Sequence, residues 1–144
     1  MLKKIITTTI LFFLLISCAS TTQYVKFSDK NNSNSAKIYI LRPTSFGSGI
    51  KMKIYQDDKL IGKLGPKSYL FWEVSPSKGE IHIISKSENK DMLTINPKAG
   101  KTYYIKQKIK MGFAIARTKL EFIDEYEAKD YLKKLKKPHM KYAE

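Results

Sequence analysis

The sequence predicts a mainly β protein, an antiparallel β-sandwich of about eight strands or a closely related small barrel, followed by one C-terminal α-helix. Three observations predict this fold. Short segments rich in apolar and aromatic residues recur along most of the chain. The connections between them are too short for the crossover helices that parallel strands usually need. After the last segment, apolar residues recur at helical spacing.

Residues 1–17 have the pattern of an export signal. Lysines near the start precede the apolar stretch from Ile5 to Ile16, which ends just before Cys18. This stretch is shorter than the roughly 20 apolar residues that a membrane-spanning helix requires. A signal peptide is therefore expected. The alternatives are a secretory peptide that contains a cysteine by chance and a short uncleaved anchor.

Leu15, Ile16 and Ser17 precede Cys18 in a pattern that resembles the lipobox of bacterial lipoproteins. The resemblance implies that a diacylglyceryl group is attached to the thiol and that the chain is then cut before Cys18. Two or three acyl chains, such as palmitate, anchor a protein stably, whereas a single chain is marginal. Because Cys18 is the only cysteine, no internal disulfide can form.

The residues after the cysteine and the net charge indicate a location and partners. Ala19 and Ser20 follow the cysteine, at positions where an Asp would resemble a signal for retention in the inner membrane. Because this Asp is missing, we expect the outer membrane, facing the periplasm, in a two-membrane organism. The formal net charge is +14, and a basic domain beside a membrane is attracted to anionic surfaces. Expected partners are the membrane, through the lipid, and another envelope protein or an anionic envelope polymer. Export removes nucleic acid as an ordinary partner.

The rest of the chain divides into a polar tether over residues 18–36, a folded domain over residues 37–137 and a tail over residues 138–144. In Tyr103–Lys110 apolar and aromatic residues alternate with a series that is mostly lysine, which predicts a sheet with one solvated face. The expected strands are Lys37–Leu41, Lys51–Gln56, Lys59–Leu64, Tyr69–Val74, Glu80–Lys86, Met92–Ile95, Tyr103–Lys110 and Phe113–Phe122. Expected turns are Asp57-Asp58, Pro76–Gly79 and Asn96–Gly100.

The C-terminal helix is expected to begin after Asp124, with Glu127 as its capping-box partner. Lysines near its end suit the helix dipole, and Pro138 is expected to stop it. Its apolar stripe, expected to pack on the sheet, consists of Ala128, Tyr131, Leu132 and Leu135.

Four segments follow one another along the chain: Tyr39–Pro43, which reads Y-x-x-R-P, Ile54–Gly62, Pro76–Gly79, and Ala99–Tyr104, which reads A-G-K-T-Y-Y. Together they resemble the DUF2846 family of small bacterial lipoproteins, a domain of unknown function, and the first and last are the more specific pieces. The resemblance covers roughly Ala36 to Leu135 and includes the acidic start of the helix. It implies an exported β-sandwich on a lipid anchor and supplies no catalytic residues.

Four residues are candidates for ligand binding. Arg42 ends an apolar strand, where a guanidinium can bind a carboxylate or phosphate through two hydrogen bonds. The alternative is a structural role, paired with a nearby acid or with free main-chain carbonyls. Tyr39, Tyr103 and Tyr104 can line a groove, but ordinary core and cross-strand packing is the simpler explanation of these aromatic residues.

No residue pattern predicts catalysis, a metal site or a cofactor. The two histidines, His82 and His139, have no Cys, Asp or Glu at metal-ligand spacing, and no nucleophile elbow is present. The leading hypothesis is a non-enzymatic envelope lipoprotein that binds or scaffolds. The alternative is an envelope-polymer hydrolase or modifying enzyme with unidentified catalytic residues, around Arg42, Asp57 and His82. A pocket lined by those three side chains would favour the enzyme.

Overall fold

Two β-sheets form most of the structure. The structure is a computed structural model and describes residues 22–23, 33–135 and 139–140. The expected mainly β class is confirmed, and the eight longer strands match the eight expected ones. The strands are β1 (Thr22–Gln23), β2 (Ala36–Arg42), β3 (Met52–Gln56), β4 (Lys59–Leu64), β5 (Ser68–Val74), β6 (Ile81–Lys86), β7 (Lys90–Ile95), β8 (Thr102–Met111), β9 (Ala116–Ile123) and β10 (His139–Met140). The helix α1 spans Glu125–Lys134, and a 3₁₀ turn spans Pro76–Lys78.

The strand order separates the chain into two sheets. One sheet has the order β10-β1-β4-β3-β6-β7, and the other has the order β5-β2-β8-β9. Most neighbours are antiparallel, as expected, but β2 and β8 pair in parallel, and so do β1 and β10. A parallel pair needs a long crossover. Between β2 and β8 that crossover is made of strands β3 to β7 rather than of a helix.

The core lies between the two sheets, where alternate residues of each strand point inward. Ile38 and Ile40 of β2 are fully buried, and they pack with residues of both sheets. The indole Nε1 of Trp72 donates to Oε1 of Gln56 at 2.8 Å, so this large inward side chain also satisfies its polar atom. The core also contains Ile54, Ile61, Leu64, Leu70, Val74, Ile81, Ile83, Ile95, Ile105 and Leu120.

A buried polar network joins the two sheets beside this core. The hydroxyls of Ser85 on β6 and Thr118 on β9 are 2.7 Å apart. The side-chain amide of Gln107 on β8 donates to Ser85 at 2.7 Å and to Thr118 at 3.1 Å. Since all three residues are buried, these hydrogen bonds replace those that water would otherwise make.

The helix begins as expected. Asp124 is its N-cap, and the Asp124 carboxylate accepts a hydrogen bond from the backbone N–H of Glu127 at 2.8 Å. Ala128 is fully buried, and Lys106, from the outer face of the four-stranded sheet, donates to Glu127 at 2.6 Å and to the Tyr131 hydroxyl at 3.1 Å. These contacts hold α1 against that face. Pro138 lies outside the described residues.

Several expected boundaries differ in the structure, and the helix, which was expected to run on to Pro138, ends at Lys134 with Leu135 as its extended C-cap. The strand expected over Phe113–Phe122 begins only at Ala116, because residues 112–115 form the loop of the β8–β9 hairpin. Thr22–Gln23, from the expected tether, pair with Lys63 and Gly62 at the edge of β4. The whole expected signal and most of the tether, residues 1–21 and 24–32, lie outside the described residues.

Candidate functional site

The residues expected to carry the lipid, Cys18 with Leu15, Ile16 and Ser17, lie outside the described residues. Lipidation of Cys18 therefore stays a prediction. Within the described part of the chain, no helix has the length and hydrophobicity needed to cross a membrane.

Arg42 is fully buried at the end of β2, and its guanidinium is surrounded by main-chain carbonyls. It donates to the carbonyl oxygens of Ile50 at 2.6 Å, Gly47 at 2.8 Å, Phe46 at 2.9 Å and Leu64 at 3.3 Å. Burial lowers the pKa of Arg42 to about 10, so the side chain remains charged at neutral pH. These contacts match the structural alternative. They fasten the loop of residues 43–51 to the end of the sandwich.

Tyr39 lies on the outer face of the four-stranded sheet in a cross-strand aromatic cluster. Its ring centroid is 4.4 Å from Phe71, 5.4 Å from Tyr104 and 6.2 Å from Tyr69. Burial, with smaller contributions from Tyr104 and Tyr69, raises the pKa of Tyr39. The ring is thus held by its neighbours on β5 and β8, which is the packing role that the sequence left open beside ligand binding.

Tyr103 and Tyr104, in contrast, both line an open cleft of about 570 Å³ where β8 starts, β9 ends and α1 begins. The Tyr103 hydroxyl donates to the carbonyl of Asn96 at 2.7 Å, and the Lys101 ammonium lies 5.2 Å from the centre of the Tyr103 ring. Phe122 is half exposed. The lining residues are Gly100, Lys101, Thr102, Tyr103, Tyr104, Phe122, Ile123 and Glu125.

The electrostatics of the cleft favour an anionic group near Lys101. Glu125 is paired with Lys129 at 2.7 Å, whereas Lys101 has no ion pair among the described residues. Burial raises the pKa of Tyr104, and Glu125 adds to this while Lys129 opposes it, so the phenol stays neutral at physiological pH. The cleft therefore offers aromatic surface, the neutral hydroxyl of Tyr104 and the ammonium of Lys101, which has no ion pair among the described residues.

Sequence reasoning identified part of this cleft. Lys101, Tyr103 and Tyr104 are neighbours in the A-G-K-T-Y-Y segment, so two of the four candidate residues were found there. Phe122 and Glu125 were missed as site residues, because they reach the cleft only through the pairing of β9 with β8. No local signal marks that contact.

Asp57 and His82 contact each other at the turn between β3 and β4, but mainly through the backbone. The N–H of His82 donates to Oδ1 of Asp57 at 2.8 Å, and the N–H of Asp57 donates to the carbonyl of His82 at 2.8 Å. Arg42 lies at the other end of β3, beside Ile50. The structure does not bring the three residues into one pocket. No cluster of three metal-ligating side chains occurs in residues 33–135.

The chain is similar to proteins whose roles are unknown. The model of the family described as "Protein of unknown function (DUF2846)" matches residues 32–119, so its match ends inside β9 and does not include α1. An uncharacterized protein of Haemophilus influenzae is 31% identical over 117 residues, which cover 81% of this chain and 67% of that protein. No solved structure matches. The chain belongs to the DUF2846 family.

Proposed function

We propose that this chain is a lipoprotein of the cell envelope, anchored through lipidated Cys18 and acting as a non-enzymatic binding or scaffolding module. Its location is the outer membrane facing the periplasm, and its binding surface is the cleft lined by Tyr103, Tyr104 and Phe122. The partner is an anionic envelope polymer. The export pattern of residues 1–17 and the lipobox before Cys18 support the anchor.

One observation supports the binding role: exposed aromatic surface and Lys101, which has no ion pair among the described residues, line the same cleft. Its volume of about 570 Å³ lies within the range of ordinary ligand sites. Phe122 keeps half of its surface exposed although it lies in a strand. Lys101 supplies the cation, and the chain, which stays strongly basic after residues 1–17 with Lys3 and Lys4 are removed, draws an anionic polymer toward it.

The anchor is tested by metabolic labelling with a fatty-acid analogue. Wild type and Cys18→Ala are compared for incorporated label and for distribution between membrane and soluble fractions. We expect both label and membrane retention in wild type and neither in the variant. If the two proteins are equally unlabelled and equally membrane-bound, the apolar stretch Ile5–Ile16 is an uncleaved anchor and the lipoprotein proposal is wrong.

The cleft is tested by placing a photo-crosslinking amino acid at Phe122 in the anchored protein. Met92 of β7 is the matched control, because it is 46% exposed, close to the 50% of Phe122, but lies on the other sheet. We expect crosslinks to envelope polymer from position 122 only, and we expect Lys101→Glu to abolish them. Equal crosslinking from both positions, or none from 122, would remove the cleft from the proposal.

A further inference from the structure

One end of the sandwich, here named the anchor end, collects three loops and the last residue of β4. The loop of residues 43–51 is tied to Leu64 of β4 through Arg42. The same loop approaches β8, since a Cβ at Gly47 would lie 3.6 Å from Cγ2 of Ile109. The loop of residues 87–89 contacts the β8–β9 hairpin loop, because Glu88 accepts from the N–H of Phe113 at 2.9 Å.

The first residue of β1 lies near this end. Thr22 pairs with Lys63 and Gln23 pairs with Gly62, so β1 runs antiparallel to β4 and begins beside the end of that strand at Leu64. Cys18 is separated from Thr22 by four peptide steps, which span at most about 14 Å. The expected lipid attachment therefore cannot lie far from the anchor end.

Apolar side chains stand exposed at the same end. Phe113 is fully exposed, Met111 is 82% exposed and Ile115 is 62% exposed, all three at the tip of the β8–β9 hairpin. Phe46, in the loop of residues 43–51, is 49% exposed. A group of large apolar side chains that faces solvent on a folded domain marks an interaction surface.

The hairpin tip is held in shape by Glu88. Its carboxylate accepts hydrogen bonds from the backbone N–H groups of Phe113, Ala114 and Ile115, and these bonds lower the pKa of Glu88. A Cβ at Gly112 would overlap this carboxylate, so glycine is required there. Because Glu88 binds the loop's N–H groups, the apolar side chains of the loop are exposed without leaving these donors unsatisfied.

Basic residues surround these tips. Lys51, Lys53, Lys90 and Lys110 are exposed and form no ion pair within residues 33–135, and exposed Arg117 lies beside Glu88. The nearby carboxylates of Glu88 and Asp91 are already used by main-chain N–H groups, those of the hairpin loop and of Leu120. Apolar tips with exposed cations at the same end of the sandwich fit a surface with an apolar interior and anionic head groups.

We propose that the anchor end rests on the membrane, with Phe46, Met111, Phe113 and Ile115 inserted among the lipids and the surrounding lysines bound to anionic phospholipid head groups. This inference rests on the proposed lipid anchor at Cys18. The protein then has two attachments on one face, the acyl chains and the hairpin tip. Together they fix its orientation, and the cleft at the start of β8 lies at the opposite end and faces away from the bilayer.

The test uses the lipidated full chain in vesicles that contain phosphatidylglycerol. Because Cys18 is the only cysteine and its thiol carries the lipid, Phe113→Cys provides one reactive thiol for an environment-sensitive fluorophore. Asp58→Cys, in the exposed turn between β3 and β4 at the far end, is the control. We expect the label at 113 to shift to shorter wavelength and to be quenched by spin-labelled lipid, while the label at 58 does neither.

Other outcomes separate this inference from the proposed function. If the protein floats with the vesicles but the label at 113 stays aqueous, or shifts without lipid quenching, the tip contacts water or protein and the inference is overturned while the anchor stands. Ile115→Cys repeats the measurement in case labelling at 113 disturbs the loop. Lys51→Glu with Lys110→Glu is expected to reduce quenching at 113, and unchanged quenching would remove the head-group contact.

Discussion

At the scale of single residues, Arg42 connects parts of the chain that are distant in sequence. Its buried guanidinium donates to the carbonyls of Phe46, Gly47, Ile50 and Leu64. Leu64 reaches Arg42 because β4 ends beside the loop of residues 43–51. One side chain therefore supplies the donors for four main-chain carbonyls.

Arg42→Ala is expected to lower the free energy of unfolding by about 3 kcal/mol or more, because four main-chain carbonyls lose a fully buried donor. Urea denaturation of wild type and variant measures this. Arg117→Ala is the control, since Arg117 is the other arginine and is exposed; its change should stay within about 0.5 kcal/mol. Equal effects of the two substitutions would contradict the structural role of Arg42.

Glu88 gives a prediction about pH. The N–H groups of the hairpin loop favour its carboxylate form, so its pKa in the folded protein is below the ordinary value of 4.5. The stabilising contribution of Glu88 is therefore present at neutral pH and is lost as the pH falls through the lowered pKa. Amide shifts of Phe113 to Ile115 should titrate below pH 4.5. A titration at or above that value, or one that persists in Glu88→Gln, would contradict this assignment.

At the scale of elements, the features that depend on neighbouring residues in the sequence, such as helix caps and tight turns, were predicted correctly. The start of α1 follows from Asp124 and Glu127, and the β3–β4 hairpin follows from Asp57-Asp58, where Asp57 adopts the positive φ that this residue type tolerates. The predicted start of β9 was wrong because the apolar residues of Phe113–Ile115 have the composition of a strand. A carboxylate from another hairpin, that of Glu88, holds them in a loop instead.

Asp124→Ala is expected to destabilise the protein by about 1 kcal/mol through loss of the helix cap. Thermal unfolding followed by circular dichroism measures it. Asp130→Ala, a substitution of an exposed residue of the same helix that pairs with Lys134 at i,i+4, should destabilise the protein clearly less than Asp124→Ala does. If Asp130→Ala costs as much as Asp124→Ala, the cap is not the source of the effect.

At the scale of the whole molecule, the sandwich was predictable and its topology was not. Alternating patterns and short turns indicate strands, but they do not say which sheet each strand joins. The chain alternates between sheets, so β2 comes to lie between β5 and β8. The cleft could not be predicted for the same reason, because Phe122 and Glu125 join Tyr104 in its lining only through the pairing of β8 with β9.

The network of Ser85, Gln107 and Thr118 ties the two sheets together and can be tested as a unit. Thr118→Val keeps the shape but removes the hydroxyl, and it should cost about 1–3 kcal/mol because buried partners lose a hydrogen bond. Denaturant unfolding checks this against Thr94→Val, an exposed threonine whose hydroxyl contacts His82 at 3.2 Å. A loss for Thr118→Val no larger than for Thr94→Val would show that the network contributes little.

The parallel pairing of β2 with β8 also governs how the chain folds as it is made. The N-terminus emerges first, so one edge of β2 closes when residues 68–74 arrive, but the other edge waits for residues 102–111. Until then, an apolar strand presents open main-chain groups, which invites pairing with other chains. Contacts so distant in sequence also slow folding. A chain that stops before Thr102 leaves this edge of β2 open, so it is expected to aggregate rather than to form a smaller working domain.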